Sequence, residues 1–221
     1  RTLDSSPSFS EVPVRFPAPL KGRFAAFLLS AAATGALAAP ASDLPPAPIL
    51  VLNSLDASVS VIDPTRWAET QRIGTGKEPH HIYLTPDERS VIVANSASDS
   101  LTFLNPRTAE VQRVVTGIID PYHLRFSPDM KWFVTAGNRL NHVDVYSWDG
   151  KDVKLVKRIP TGKTPSHIWI DSKSTTAYVT MQDSDELVAV DLATQAIRWR
   201  VPTGPMPADV FGVHQDKTLL V

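Results

Sequence analysis

Three observations on this sequence predict an all-β fold. Short runs rich in Val, Ile, Leu, Thr and aromatic residues recur along the chain, each about five to seven residues long and bounded by turn residues. The same marker residues return at steps of 42 to 44 positions. No window has the 3.6-residue periodicity of a long amphipathic helix.

The repeat rests on three markers that move together. A Thr-Gly, a Pro and a polar residue two places on occur as Thr75-Gly76 to Pro79-His80-His81, Thr116-Gly117 to Pro121-Tyr122-His123, Thr161-Gly162 to Pro165-Ser166-His167 and Thr203-Gly204 to Pro207-Ala208-Asp209. The prolines stand at 79, 121, 165 and 207, which gives steps of 42, 44 and 42. Val51, Val93, Thr135 and Val179 form a second series inside apolar strands. Asp63, Asn105, Ser147 and Asp191 form a third, each closing an apolar run.

Taken in order, Ile49 to Thr75 supplies only the second to fourth strands of the unit. The next copy is complete, with strands at His81 to Leu84, Val91 to Asn95, Leu101 to Leu104 and Val111 to Val115. Its connections are Pro86-Asp87, the Ser/Asp loop at 96 to 100, Asn105-Pro106 and Thr116-Gly117, all residues that favour tight reversals. Complete sheets are expected over about His80 to Thr116, Tyr122 to Thr161 and Ser166 to Thr203; Ala208 to Val221 begins another. Apolar residues in succession, as in Val91-Ile92-Val93-Ala94, fit sheets covered on both faces. Four strands per copy is the signature of a β-propeller blade. The expected architecture is an incomplete arc, three full blades plus two partial, of a seven- or eight-bladed ring. At about 42 residues per blade such a ring needs roughly 300 to 340 residues after the leader, so the chain is expected to be a truncated product of a longer gene.

The repeat resembles the YVTN-repeat β-propellers in four features: the strand Ala177-Tyr178-Val179-Thr180, the VxVID-type strands (Val59 to Asp63, Leu187 to Asp191), the TGxxPxH turn and the Ser127-Pro128-Asp129 turn. The resemblance covers residues 47 to 221. It implies a periplasmic or surface-layer type of propeller, related to the haem-binding propellers of nitrite reductases and to lactonase propellers. Propellers host many chemistries, so the fold by itself names none.

The N-terminal part reads differently. Lys21 and Arg23 precede the apolar stretch Phe24 to Ala38, which ends Ala36-Leu37-Ala38 and is followed by Ala39-Pro40. That order is the one of a secretory signal, and the stretch is short for a membrane span. The expected organisation is a disordered or upstream leader at 1–19, a signal peptide at 20–38, a linker at 39–46 and the partial propeller at 47–221. The mature protein is then periplasmic or secreted, with no stable membrane span after cleavage. A net charge of −1 gives no basic surplus for nucleic acid. The chain has no cysteine, which excludes disulfides, thiolate zinc sites and a covalently attached c-type haem.

Blade strands run outward from the channel, so the residue after each repeat proline opens an inner strand. His81, His123, His167 and Asp209 are expected at one channel mouth, with Lys77 and Lys163 on the same face. The connections between second and third strands add Asp56, Asp99, Asn141, His142, Asp183, Asp185 and Glu186 there. Imidazoles so gathered are candidate acceptors, acid/base groups or metal ligands, with His81, His123 and His167 the metal set. The bland alternative is a hydrogen bond that each blade makes once with its own histidine. His80, Tyr122 and Asp209 depart from the repeat and rank beside the ring as ligand-binding candidates.

No self-contained catalytic motif is present. Gly162-Lys163-Thr164 has Lys157 where a phosphate loop needs its first glycine, and Gly74-Thr75-Gly76 lacks the third glycine of a dinucleotide site. The sequence reading is therefore an exported, non-enzymatic propeller that binds a small ligand, a metal or a protein partner at its His-rich mouth. Metal and non-covalent haem both stay open as cofactors. An enzyme of the lactonase or haem-dependent redox type is one alternative, and a structural or adhesive surface module is another.

Overall fold

The β-branched and aromatic runs form strands where the repeat places them. The computed structural model describes residues 46–221, so the leader, signal-peptide and linker expectations fall outside the described residues except at position 46. The first sheet has three strands, β1 (Ile49–Asn53), β2 (Ser58–Asp63) and β3 (Ala68–Gly74). The second is β4 (Pro79–Leu84), β5 (Val91–Asn95), β6 (Ser100–Leu104) and β7 (Val111–Thr116). The third is β8 (His123–Phe126), β9 (Trp132–Gly137), β10 (His142–Trp148) and β11 (Val153–Pro160). The fourth is β12 (Pro165–Ile170), β13 (Thr176–Met181), β14 (Glu186–Asp191) and β15 (Ala196–Pro202). A hairpin of β16 (Phe211–Val213) and β17 (Thr218–Leu220) follows. All pairings are antiparallel and join sequence neighbours, and no ladder joins the first sheet to the final hairpin among the described residues. Three full blades and two partial ones are thus present, as the repeat requires.

Why strands read apolar on successive residues is visible in the packing. Ile92 and Ala94 pack with Leu124, Phe133 and Tyr146 of the third sheet, while Val93 between them packs with Val59 and Val61 of the first. Val134 and Ala136 in turn meet Ile168, Ala177 and Val179 of the fourth sheet. Each blade is a slab with core on both faces, and each fully buried Leu, Ile or Phe side chain contributes on the order of 1.5–3 kcal/mol.

Left-handed backbone recurs with the same period. The residue before each repeat proline has positive φ: Glu78 at 51°, Asp120 at 47°, Thr164 at 57° and Met206 at 55°. So does the residue that ends each turn between second and third strands: Ala57 at 49°, Asp99 at 50°, Asn141 at 57° and Asp185 at 51°. Non-glycine residues adopt this region uncommonly. Its repetition at equivalent positions is a property of the blade.

A polar triangle inside the first two sheets is replaced in the third. Asn53 Nδ2 donates to Ser58 Oγ at 3.2 Å and Ser60 Oγ at 2.9 Å. Asn95 Nδ2 does the same to Ser100 Oγ at 3.2 Å and Thr102 Oγ1 at 3.0 Å. In the third sheet these positions hold Gly137, His142 and Asp144, and a Cβ on Gly137 would overlap the His142 ring. The missing asparagine side chain makes the space that the imidazole fills. Asp144 is fully buried and takes a bidentate pair from Arg158, Nε to Oδ1 at 2.9 Å and Nη2 to Oδ2 at 2.7 Å, with Tyr146 Oη donating at 3.0 Å.

Candidate functional site

The turn that opens each blade delivers its inner-strand side chain in a fixed way. The amide of Asp120 donates to Asp99 Oδ1, that of Thr164 to Asn141 Oδ1 and that of Met206 to Asp185 Oδ1, each at 2.9 Å. The left-handed residue is thereby tied to the preceding blade, and a buried proline follows it in all four copies, Pro79, Pro121, Pro165 and Pro207. Ala57 has no side-chain acceptor, and the first of these turns is tied by Ser54 Oγ donating to the Pro79 carbonyl at 2.7 Å. Two residues past the left-handed one come His80 or its counterparts, and three past it come His81, His123, His167 and Asp209.

The three histidines meet. Their ring centroids lie 4.7 Å apart for His81 and His123, 4.6 Å for His123 and His167, and 5.1 Å for His81 and His167. One nitrogen from each lies within 4.8 Å of the other two. Each imidazole is held from behind at its other nitrogen, and by a different partner. His81 Nδ1 is 2.6 Å from the Tyr122 carbonyl, so it donates, and Nε2 is left as the acceptor atom. His123 Nε2 is 2.7 Å from Tyr83 Oη, and His167 Nδ1 is 3.0 Å from Ser166 Oγ. A single bond repeated once per blade is therefore not what holds these rings.

The inner atoms are the unusual ones. His81 Nε2 and His167 Nε2 stand 3.3 Å apart. His123 is 2% exposed, and its Nδ1 is buried without a hydrogen-bond partner. A buried polar atom left unpaired costs about 1–3 kcal/mol, so such atoms call for a partner. Nitrogens at two corners of a tetrahedron around an ion 2.0–2.1 Å away lie about 3.3–3.4 Å apart, the separation found between the two Nε2 atoms. That pair has the spacing of two ligands on a tetrahedral ion, and the third imidazole lies within 4.8 Å, close enough to join them with a small adjustment.

The electrostatics favour the neutral form of His81 and His123. Burial pushes His81 down to about 4, against the opposing effect of the Tyr122 carbonyl, and the neighbouring imidazoles add to the depression. His123 is driven lower still, by burial first and then by His81 and His167. His80 is lowered by burial as well, less completely. Neutral imidazole is the form that ligates a metal.

The remaining sequence candidates divide. His80 and Tyr122 join the cluster from its exposed side, with ring centroids 4.2 Å apart and His80 Nδ1 3.2 Å from His81 Nδ1. Asp209 is exposed, outside the 4.8 Å group, with Oδ1 accepting from the Val210 amide at 2.7 Å. Lys77 and Lys163 are exposed, with their backbone amides donating to Ser98 Oγ at 2.9 Å and Ser184 Oγ at 2.6 Å. Much of the polar face turns out to be scaffold. Asp99, Asn141 and Asp185 anchor turns, Glu186 pairs with Arg200 at 2.6 Å, and His142 lies buried in the third blade. Tyr83 was not singled out by the sequence, although it stands two residues after His81 in one strand, which puts both side chains on one face.

A family model described as YNCE-like beta-propeller matches residues 10–221. The chain belongs to the YNCE-like β-propeller family. Solved structures with the same fold include the hydrazine synthase of Kuenenia stuttgartiensis, 19% identical, with a TM-score of 0.58 over 69% of this chain and 45% of that one. Dihydro-haem d1 dehydrogenase NirN in complex with DHE is 20% identical, with a TM-score of 0.59 over 77% of this chain and 38% of that one. A putative 6-phosphogluconolactonase from Bacteroides uniformis is 16% identical, with a TM-score of 0.62 over 77% of this chain and 61% of that one. The YNCE-like chain spans less than two thirds of the length of each of these structures. No curated protein matches it. Among the described residues, no helix is long and apolar enough to cross a membrane.

Proposed function

We propose that this YNCE-like propeller is a binding protein for a divalent transition-metal ion of the zinc and copper class, held by His81, His123 and His167. The observation that carries the reading is the convergence of His81, His123 and His167, one nitrogen of each within 4.8 Å of the others, together with a His123 Nδ1 that is buried and unpaired. The ligands would be His81 Nε2, His123 Nδ1 and His167 Nε2, because the opposite nitrogens are engaged by Tyr122, Tyr83 and Ser166. Such outer partners fix ring orientation and raise ligand basicity. An all-nitrogen set suits zinc, copper and nickel and is poor for magnesium or calcium, which take oxygen ligands. The close packing of the three rings favours an ion-sized ligand over a haem macrocycle. The reading of residues 20–38 as a signal peptide supports an activity outside the cytoplasm.

Isothermal titration of the protein, first stripped with chelator, with zinc sulfate at pH 7.5 tests the proposal. One ion per chain is expected, with His81→Ala, His123→Ala and His167→Ala each weakening binding by more than about 100-fold, beyond what loss of an outer partner does. Cobalt substituted at the same site should give the intense visible bands of tetrahedral coordination. Absence of saturable binding of zinc, copper or cobalt, or binding that survives all three substitutions, sinks the reading.

A further inference from the structure

The fourth repeat carries a carboxylate where three carry imidazole. Pro207-Ala208-Asp209 occupies the register of Pro79-His80-His81, Pro121-Tyr122-His123 and Pro165-Ser166-His167. The structure builds that turn in the same way: Met206 has φ 55°, its amide is tied to Asp185 Oδ1 at 2.9 Å, and Pro207 is buried. Thr180 Oγ1 fixes the next carbonyl, that of Ala208, at 3.1 Å. The turn ahead of position 209 is therefore the one that precedes His123 and His167, with the strand it leads into, β16, starting two residues later at Phe211.

The environment of Asp209 is that of an uncommitted anion. Its one hydrogen bond is a local one, to the amide of Val210 at 2.7 Å, and among the described residues no cation pairs with it. The carboxylates that anchor turns or strands on this face, Asp99, Asp120, Asp185 and Glu186, are all bound to amides of other elements or to arginine.

Three neutral imidazoles leave the whole charge of a dication uncompensated and one tetrahedral position open. We infer that Asp209 is the anionic member of the site, its carboxylate giving up the Val210 amide to supply the fourth ligand on the exposed side of the His81, His123 and His167 triad. This inference rests on the metal reading above. The ligand set then has two halves: a buried imidazole floor, with His123 2% exposed, and a solvent-facing carboxylate that meets the arriving ion first. Hard, oxygen-seeking ions gain one donor, too few for a six- to eight-oxygen shell, so the site keeps its preference for transition metals.

Zinc titration and cobalt absorption of Asp209→Asn and Asp209→Ala against the unsubstituted full chain test the assignment. Asp209 is exposed and its neighbours are held by the backbone, so both variants should keep the parental thermal unfolding without metal. Zinc affinity is expected to fall about 10- to 100-fold in both, as for loss of a charged partner at a metal site, with a cobalt spectrum shifted by replacement of the carboxylate. Equal zinc affinity and an unchanged cobalt spectrum in both variants would overturn the inference while leaving triad binding intact. If the unsubstituted chain takes up no zinc or cobalt, the metal reading and this inference fall together.

Discussion

Two groups of histidines sit in sheets of the same design and behave in opposite ways. His81, His123 and His167 come from three inner strands and face one another, and among the described residues none of the three forms a salt bridge with a carboxylate. His142 comes from one blade, and its Nε2 lies 3.5 Å from Asp144 Oδ2, close but not aligned as a hydrogen bond. Burial alone would raise the Asp144 carboxyl; the His142 imidazole and the Arg158 guanidinium outweigh it and hold it below the usual carboxylate range. The buried charge of the third blade is thus met inside that blade, although His142 Nε2 and Thr135 Oγ1 are, like His123 Nδ1, buried without a hydrogen-bond partner. The inner-strand triad has no counter-charge of that kind among the described residues, and burial pushes His81 and His123 below the usual imidazole value. An imbalance that the protein does not resolve internally is where a ligand belongs.

The comparison breaks if the two groups respond alike to mutation. The largest effect is expected from Arg158→Met, which leaves the buried Asp144 without its bidentate partner. Removing one partner of a buried pair costs about 3–5 kcal/mol, and because Arg158 is 40% exposed a loss of about 2–3 kcal/mol is expected by urea unfolding. Zinc titration of the same variant should match the parent, and a large fall in zinc affinity would show that the two groups are coupled.

Tyr83→Phe should do the reverse. It removes the hydroxyl 2.7 Å from His123 Nε2, so zinc affinity is expected to fall about tenfold with stability changed by less than about 1 kcal/mol. Unchanged affinity would reduce Tyr83 to packing.

How much of this was legible follows from which properties a repeat carries. Recurrence gave the blades and the register of His81, His123, His167 and Asp209, because strand period and turn chemistry are local. Contact among the rings was not legible, since it depends on how near the inner strands approach the axis, which no local pattern encodes. The acidic residues misled for a related reason: Asp99 and Asp185 have the composition of a site, yet their carboxylates are used up by amides 21 residues on. The exchange of Asn53 and Asn95 for Gly137 beside His142 was present in the sequence, and only the cross-strand register reveals it as one event.

A further expected effect concerns acid. Because His81 is held near 4, against about 6.5 when unfolded, the unfolded state binds more protons between these values. Stability of the chelator-treated protein should be constant above about pH 7 and decline as pH falls from about 6.5 toward 4, with His81→Gln flattening that decline. Thermal unfolding across this range measures it. An equal decline in His81→Gln would assign the acid sensitivity to other groups.

The left-handed residue ahead of each repeat proline has an evolutionary consequence. Because Glu78, Asp120, Thr164 and Met206 present the third residue onward in one geometry, the letter at that place is exchangeable without rebuilding a blade. A duplicated unit inherits a ready-made socket along with its strands. The ring of inner positions then works like a combination lock, in which the tumblers are shared and single substitutions set which guest the axis admits.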